Sequence, residues 1–158
     1  MTDYRPQHIQ VEVSRDFCVS PDRVFSAWLV PRMLGQWMFG PRVREENVVR
    51  LDVDPRVGGR YSLKVERASE RIEHVGEYLE IDHPRRLAFT WSVVGEPVGA
   101  PSVVAIDIVP TAPGCRLTLK HTMDASCAGR AERTRTGWST MLDALAELPV
   151  ATRPAQDA

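Results

Sequence analysis

The sequence predicts an α+β fold: a curved antiparallel sheet of about six or seven strands wrapped around one long C-terminal helix, with two short helices after the first strand. Three observations predict it. Ser20-Pro21-Asp22-Arg23-Val24-Phe25-Ser26-Ala27-Trp28 reads as a helix set directly behind the first strand-like stretch. About seven alternating segments, mostly joined by short turns, fill the middle of the chain and favour an antiparallel meander. Gly137-Trp138-Ser139-Thr140-Met141-Leu142 then sits in a closing segment with helical apolar spacing. A sheet folded around a helix leaves a cavity as a product of its geometry.

The first strand runs from Ile9 to Val19. Ile9, Val11, Val13 and Phe17 share one phase, and Gln10, Glu12, Ser14 and Asp16 the other, which is half-buried strand alternation. Arg15 falls in the apolar phase. Either a bulge interrupts the ladder or the guanidinium turns inward, and a bulge or rim position is the plainer reading. Ser20 offers an N-cap oxygen, Pro21 suits the first helical position, and Asp22 is favoured by the helix dipole. Val24, Ala27 and Trp28 recur at helical spacing. Pro31 opens a second short helix with Met33, Leu34 and Trp37, which Gly40-Pro41 stops.

Val49, Leu51 and Val53 alternate with Arg50 and Asp52 as a short strand. Asp54-Pro55 and Gly58-Gly59 mark a turn, and Tyr61, Leu63 and Val65 alternate in the next strand. A strand over Glu73 to Ile81 turns at Asp82-His83-Pro84. Gly76 and Tyr78 look buried in one phase, Val75, Leu79 and Ile81 in the other, so a bulge near Leu79 would reconcile them. Arg86 to Val94 sets Leu87, Phe89, Trp91 and Val93 on one face. Residues 95–101 read as a loop, and Ser102 to Val109 and Cys115 to Met123 complete the sheet. The last helix spans Cys127 to Leu148. Trp138, Met141, Leu142, Leu145 and Leu148 form its apolar stripe. Continuing that stripe backwards meets Thr134 and Ala131, which are small, so space remains between the helix and the sheet.

At 158 residues the chain fits one domain, 8–149, with 1–7 and 150–158 as flexible termini. That length buries about 70% of the unfolded surface. Net charge of −1, from 20 basic and 21 acidic residues, argues against a dedicated nucleic-acid surface. Arg130, Arg133 and Arg135, interrupted by Glu132, read as a solvated helix face rather than an anion or RNA site. No apolar run approaches the roughly 18–20 residues of a membrane helix, and Met1-Thr2-Asp3-Tyr4-Arg5-Pro6 lacks a signal-peptide pattern. Cys18, Cys115 and Cys127 are odd in number and without a Cys-x-x-Cys pair, so reduced thiols in a cytoplasm are expected. His74 and His83 lack metal-ligand spacing, and neither a metal nor a cofactor is expected.

Arg15-Asp16-Phe17 followed by Ser20-Pro21-Asp22-Arg23-Val24-Phe25-Ser26-Ala27-Trp28 and Gln36-Trp37 resembles the opening of the SRPBCC superfamily. The branch it is most similar to is that of the C-terminal domain of the heat-shock-protein-90 ATPase activator. Asp52 to Tyr61, Gly76 to Ile81, Pro84 to Trp91 and Gly137-Trp138 fit that branch in order, and the resemblance covers about residues 9–148. It implies a helix-grip fold whose cavity binds hydrophobic or amphipathic small molecules. Some related branches are cyclases or hydrolases, and no catalytic set runs through this one.

His121 shares strand phase with Leu117, Leu119 and Met123, so its imidazole is expected to face the helix. A histidine there is more often a hydrogen-bonded core residue than a catalyst, although it is the group best placed to titrate near neutral pH. An inward Glu77 working with His121 is the less favoured alternative. Gly58-Gly59 precedes a strand and is a turn device, not a phosphate cradle. The expected ligand-lining residues are Trp37, Tyr61, Phe89, Trp91, Ile106, Leu119, His121, Thr134 and Trp138. The expected function is binding of a small hydrophobic or amphipathic ligand between the sheet and the C-terminal helix. Two alternatives stay open: a cyclase- or hydrolase-like enzyme using His121 and a nearby carboxylate, or a chaperone-associated interaction module. The balance leans away from an enzyme, and a homodimer or a chaperone partner is left open.

Overall fold

The computed structural model describes residues 8–40, 43–95 and 102–148. The chain runs β1 (His8–Phe17), α1 (Pro21–Ser26), α2 (Pro31–Trp37), β2 (Asn47–Val53), β3 (Arg60–Arg67), β4 (Glu70–Asp82), β5 (Arg86–Val93), β6 (Ser102–Pro110), β7 (Cys115–Asp124) and α3 (Ala131–Ala146). Among the described residues seven strands form one antiparallel sheet in the order β1-β7-β6-β5-β4-β3-β2. The sheet is therefore a meander from β2 to β7, with β1 returning to pair with β7. It curves around α3, as the sequence predicts. The loose ends expected at 1–7 and 150–158, and most of the loop at 95–101, lie outside the described residues.

Alternation decides which side of each strand is covered. Val11, Val13 and Phe17 on β1, Leu87 and Phe89 on β5, Val104, Ile106 and Ile108 on β6, and Leu117 and Leu119 on β7 are buried. They meet Trp138, Leu142 and Leu145 from α3 in one core cluster. Burying residues of this size stabilises by roughly 1.5–3 kcal/mol each, and this sheet-on-helix layer is what the fold rests on.

Arg15 corrects the plainer expectation. The β1–β7 register passes without a break through Arg15 and Leu117, so no bulge relieves it. The guanidinium turns inward along the underside of α3. It donates to the Ser139 carbonyl and hydroxyl oxygens at 3.0 and 2.7 Å and pairs with Asp143 at 3.0 Å. A charge survives in the apolar phase because it has fixed partners there.

The expected bulge on β4 is present. Register shifts between Tyr78 and Glu80, which leaves Leu79 exposed while Tyr78 and Ile81 both face in. Glu77 lies in the outward phase, opposite Arg60. A second irregularity, between Val48 and Arg50, exposes Val49. Gly76 has a specific purpose. A Cβ there would collide with the Thr90 carbonyl oxygen and the Tyr61 ring, so only glycine lets the Tyr61 hydroxyl cross the strand and donate to that carbonyl.

The helices need two corrections. Ser20 is the N-cap of α1 and Pro21 its first residue, but the Ser20 side chain makes no capping bond; Asp22 instead reaches His83 at 2.8 Å. The final helix does not start as α at Cys127. Residues Ala125–Arg130 form a 3-10 turn in which Asp124 accepts from the Ser126 amide, and α-helix begins at Ala131. Ser126, Cys127 and Gly129 are weak helix formers, and the Ala-Ser-Cys-Ala-Gly run has no large side chain to anchor it.

Candidate functional site

The space between sheet and helix is divided. An inner cavity against α1 and α2, lined by Trp28, Leu34, Met38, Tyr61, Leu63, Tyr78, Phe89 and Trp91, leaves about 20 Å³ for water centres. That is room for one water and no more. The larger space is an open cleft of about 400 Å³ beside the first half of α3, within the range of small-molecule sites.

The helix, the sheet and the segment after α2 build the cleft. The helix presents Thr134, Gly137, Trp138 and Met141, which recur at spacings of 3, 1 and 3 and so share one face. The sheet contributes His74 from β4, Trp91 from β5 and His121 from β7. Phe39, just past α2, closes one side, and Arg44 and Arg67 stand near it. Gly137 matters most for the hollow. Nothing lies within 4 Å of where its Cβ would be, so the missing side chain is open volume inside a helix that glycine destabilises by about 1 kcal/mol.

Aromatic rings pave this space. Phe39 and Trp91 lie nearly parallel, 9° apart with centroids at 6.5 Å, and His74 sits 5.0 Å from Phe39 and 4.9 Å from Trp91. Trp91 and Trp138 approach to 5.5 Å. Such offset and edge contacts fix ring positions beyond what area burial supplies.

His121 is 4% exposed and both ring nitrogens are engaged. The Trp138 indole N–H donates to Nδ1 at 3.0 Å. Nδ1 is therefore an acceptor, and in the neutral ring the proton must be on Nε2. Nε2 lies 2.8 Å from Ser102 Oγ, and that hydroxyl donates to the Trp91 carbonyl at 2.8 Å. The chain runs Trp138 to His121 to Ser102 to Trp91, every proton already placed. Ser102 and His121 have the spacing of a nucleophile and its base, but the polarity is reversed, because a protonated Nε2 cannot accept the serine proton. Burial pushes the His121 pKa down to about 4, and burial with the nearby Arg67 does the same for His74. Nδ1 of His74 is buried without a hydrogen-bond partner.

Beneath the arginines lies a carboxylate that sequence reading passed over. The Glu46 side chain is fully buried, held by Arg44 at 2.8 Å, by Arg67 at 2.8 Å and by the Gly40 amide at 2.8 Å. Charge-assisted bonds on both oxygens make such burial tolerable.

Of the expected lining residues, Trp91, His121, Thr134 and Trp138 come together in this cleft. Tyr61 and Phe89 face the inner cavity with Trp91. Trp37, Ile106 and Leu119 line neither and are fully buried in the packed core. Trp37 is fixed there by its indole bond to the Ala27 carbonyl and an edge contact with Trp28. Ala131 packs half-buried against the core rather than walling the cleft. Phe39, His74, Gly137 and the arginines were missed. A glycine inside a helical apolar stripe was the signal available for Gly137. The basic run is solvated as expected, with Arg130 and Arg133 exposed and Arg135 paired with Glu132 at the surface, and Arg133 also lines the cleft. Among the described residues no three His, Cys, Asp or Glu side chains group as metal ligands, and no helix is long and apolar enough to cross a membrane.

The family model for Activator of Hsp90 ATPase homolog 1-like protein matches residues 18–149. The chain belongs to this family. Solved structures share the fold, and two of them carry the AHSA1 name. The AHSA1 protein from Silicibacter pomeroyi is 25% identical with a TM-score of 0.72, over 87% of this chain and 95% of that one. Protein CV1439 from Chromobacterium violaceum reaches a TM-score of 0.75 at 24% identity, over 87% and 94% of the two chains. The AHSA1-like protein from Aeromonas hydrophila, at 18% identity, has a TM-score of 0.71 over 87% and 90%. The family match is consistent with the SRPBCC superfamily. No curated protein matches the chain.

Proposed function

We propose that residues 8–149 act as one ligand-binding domain, taking a small, largely apolar molecule in the cleft between Trp91 and α3. The observation that carries this reading is Gly137. A helix-interior glycine with open space above it, facing two tryptophans and a phenylalanine, spends helix stability to keep a hollow. The superfamily's cavity-binding habit supports it. The Ser102–His121 contact adds to this, since it has its proton on the wrong atom for activating the serine. The free thiols of Cys18, Cys115 and Cys127 fit a reducing, cytoplasmic setting.

Titration with N-phenyl-1-naphthylamine, a neutral apolar fluorophore, tests the reading. Its emission should rise on binding the wild-type protein and quench Trp91 and Trp138. Gly137→Phe, which fills the space, should weaken that binding at least tenfold while the protein still unfolds cooperatively. Equal binding by both proteins would end the proposal.

A second reading has one observation behind it. Val48 and Val49 are exposed on β2, an outer strand of the sheet, and Val57 is exposed just beyond it. An apolar strand edge suits a second copy or a chaperone. Substituting Val49→Lys should then abolish any dimer seen by ultracentrifugation; a monomer in both proteins removes the dimer form of this reading.

A further inference from the structure

The mouth of the cleft is chemically unlike its walls. Arg44, Arg67 and Arg133 all line it, and the carboxylate against them is Glu46. Two positive charges among these four residues are therefore uncompensated, in a chain whose net charge is −1. Neutralising Glu46 needs one guanidinium, and two are present. Arg44 bonds through Nη1 alone and Arg67 through Nε and Nη2, so each keeps donors unused. Arg133 enters from the opposite wall, on α3, and has no hydrogen-bond or ion-pair partner among the described residues. The buried Glu46, anchored on the Gly40 amide, holds two of the three side chains in place before anything binds, which removes part of the ordering cost of recognition.

The other polar groups of the cleft leave this task to the arginines. Both nitrogens of His121 are committed. His74 is kept neutral by burial, so it adds no charge. The Arg44 guanidinium lies over the Phe39 ring at 5.9 Å, and Phe39, Trp91 and Trp138 form an apolar bed of contacting rings.

We propose that the cleft selects a carboxylic acid with an apolar or aromatic body, its carboxylate held between Arg133 and the Arg44–Arg67 pair and its body laid against Trp91. The planar fork of a guanidinium matches the two oxygens of a carboxylate, and such charge-assisted pairs are stronger than neutral ones. This inference rests on the cleft being the ligand site and names the class of molecule it takes.

The test compares an acid with its own amide. 2-Naphthoic acid and 2-naphthamide, and decanoic acid and decanamide, are titrated at pH 7.5 by calorimetry. Each acid should bind about tenfold more tightly than its amide. In Arg133→Glu the acid-to-amide ratio should fall to near or below one. Arg133 is exposed and unpaired, so this variant keeps its core contacts. The same charge change at Arg32, exposed on α2, controls for net charge and should leave the ratio intact. Equal affinity of acid and amide for the wild-type protein overturns the carboxylate assignment and leaves an apolar binding cleft standing. A ratio that survives in Arg133→Glu, or drops equally in Arg32→Glu, also overturns it. Binding of neither member of either pair overturns the cleft as a ligand site, and this inference with it.

Discussion

His121 offers a direct measurement of how the site is wired. Its imidazole accepts from the Trp138 indole and is 4% exposed, and burial lowers its pKa from 6.5 to about 4. In the unfolded chain the ring takes a proton near pH 6.5; in the folded chain it refuses one until about pH 4. Stability from this residue is therefore fully present above about pH 6.5 and is lost as pH falls toward 4, because only the unfolded state gains the proton. At 1.36 kcal/mol per pKa unit the full effect is about 3 kcal/mol. The perturbation is His121→Gln, whose amide oxygen can accept from Trp138 and whose amide N–H can donate to Ser102, without titrating. Urea unfolding of both proteins at intervals from pH 7.5 to 4.5 is the assay. Carboxylates and His74 affect both proteins alike and cancel in the comparison. The wild-type protein should lose about 2–3 kcal/mol more than H121Q over that span. Equal pH slopes, or a His121 NMR titration midpoint near 6.5, would refute the hydrogen-bond assignment and reopen the residue as a base.

Trp138→Phe keeps a ring in the core but strips the donor from His121 Nδ1; urea unfolding at pH 7.5 should show a loss of about 1–3 kcal/mol, and unchanged stability would mean the bond is not made. Gly137→Ala should stabilise the protein by about 0.5–1 kcal/mol in the same assay, since the added methyl meets open space in a helix, whereas destabilisation would show the cleft to be filled. The β3–β4 turn holds two non-glycine residues at positive φ, Ala68 at 53° and Ser69 at 68°. Ser69→Gly should relieve about 1 kcal/mol of that strain and raise the thermal midpoint; a lower midpoint would contradict the turn geometry.

The sheet was legible because burial writes itself into alternation. Every strand from β1 to β7 has a phase of large apolar residues, and the Leu79 bulge is readable as a conflict between two such phases. What alternation cannot rank is the competition between a rule and a partner elsewhere in the chain. Arg15 breaks the pattern on β1, and from β1 alone a bulge is the cheaper explanation. The answer sits over a hundred residues away, in Ser139 and Asp143, whose oxygens make an inward guanidinium acceptable. Ser20 fails differently: the residue is at the cap, but its side chain makes no capping bond, so propensity located the boundary and not the interaction.

The cleft was half legible for the same reason. Strand phase puts Trp91 and His121 on the inner face, and helix spacing adds Thr134 and Trp138. Phase says only that a side chain points inward. It does not say whether α1, α2 or α3 then covers it, and that is why Ile106 and Leu119 share the inner side yet end in solid packing, as does Trp37 at the end of α2. The small-residue argument named Thr134, which lines the cleft, and Ala131, which does not, and it passed over Gly137, whose missing side chain opens volume there. Arg44, Arg67 and Arg133 could not be grouped from sequence at all, since they come from a loop, a strand end and a helix that only the closed sheet brings to one rim. Charge composition averages over the whole surface, so a net of −1 does not reveal that three arginines line one cleft. Specificity in this fold thus rests on which side chains the rim gathers, while the phase-readable residues behind it supply only an apolar floor.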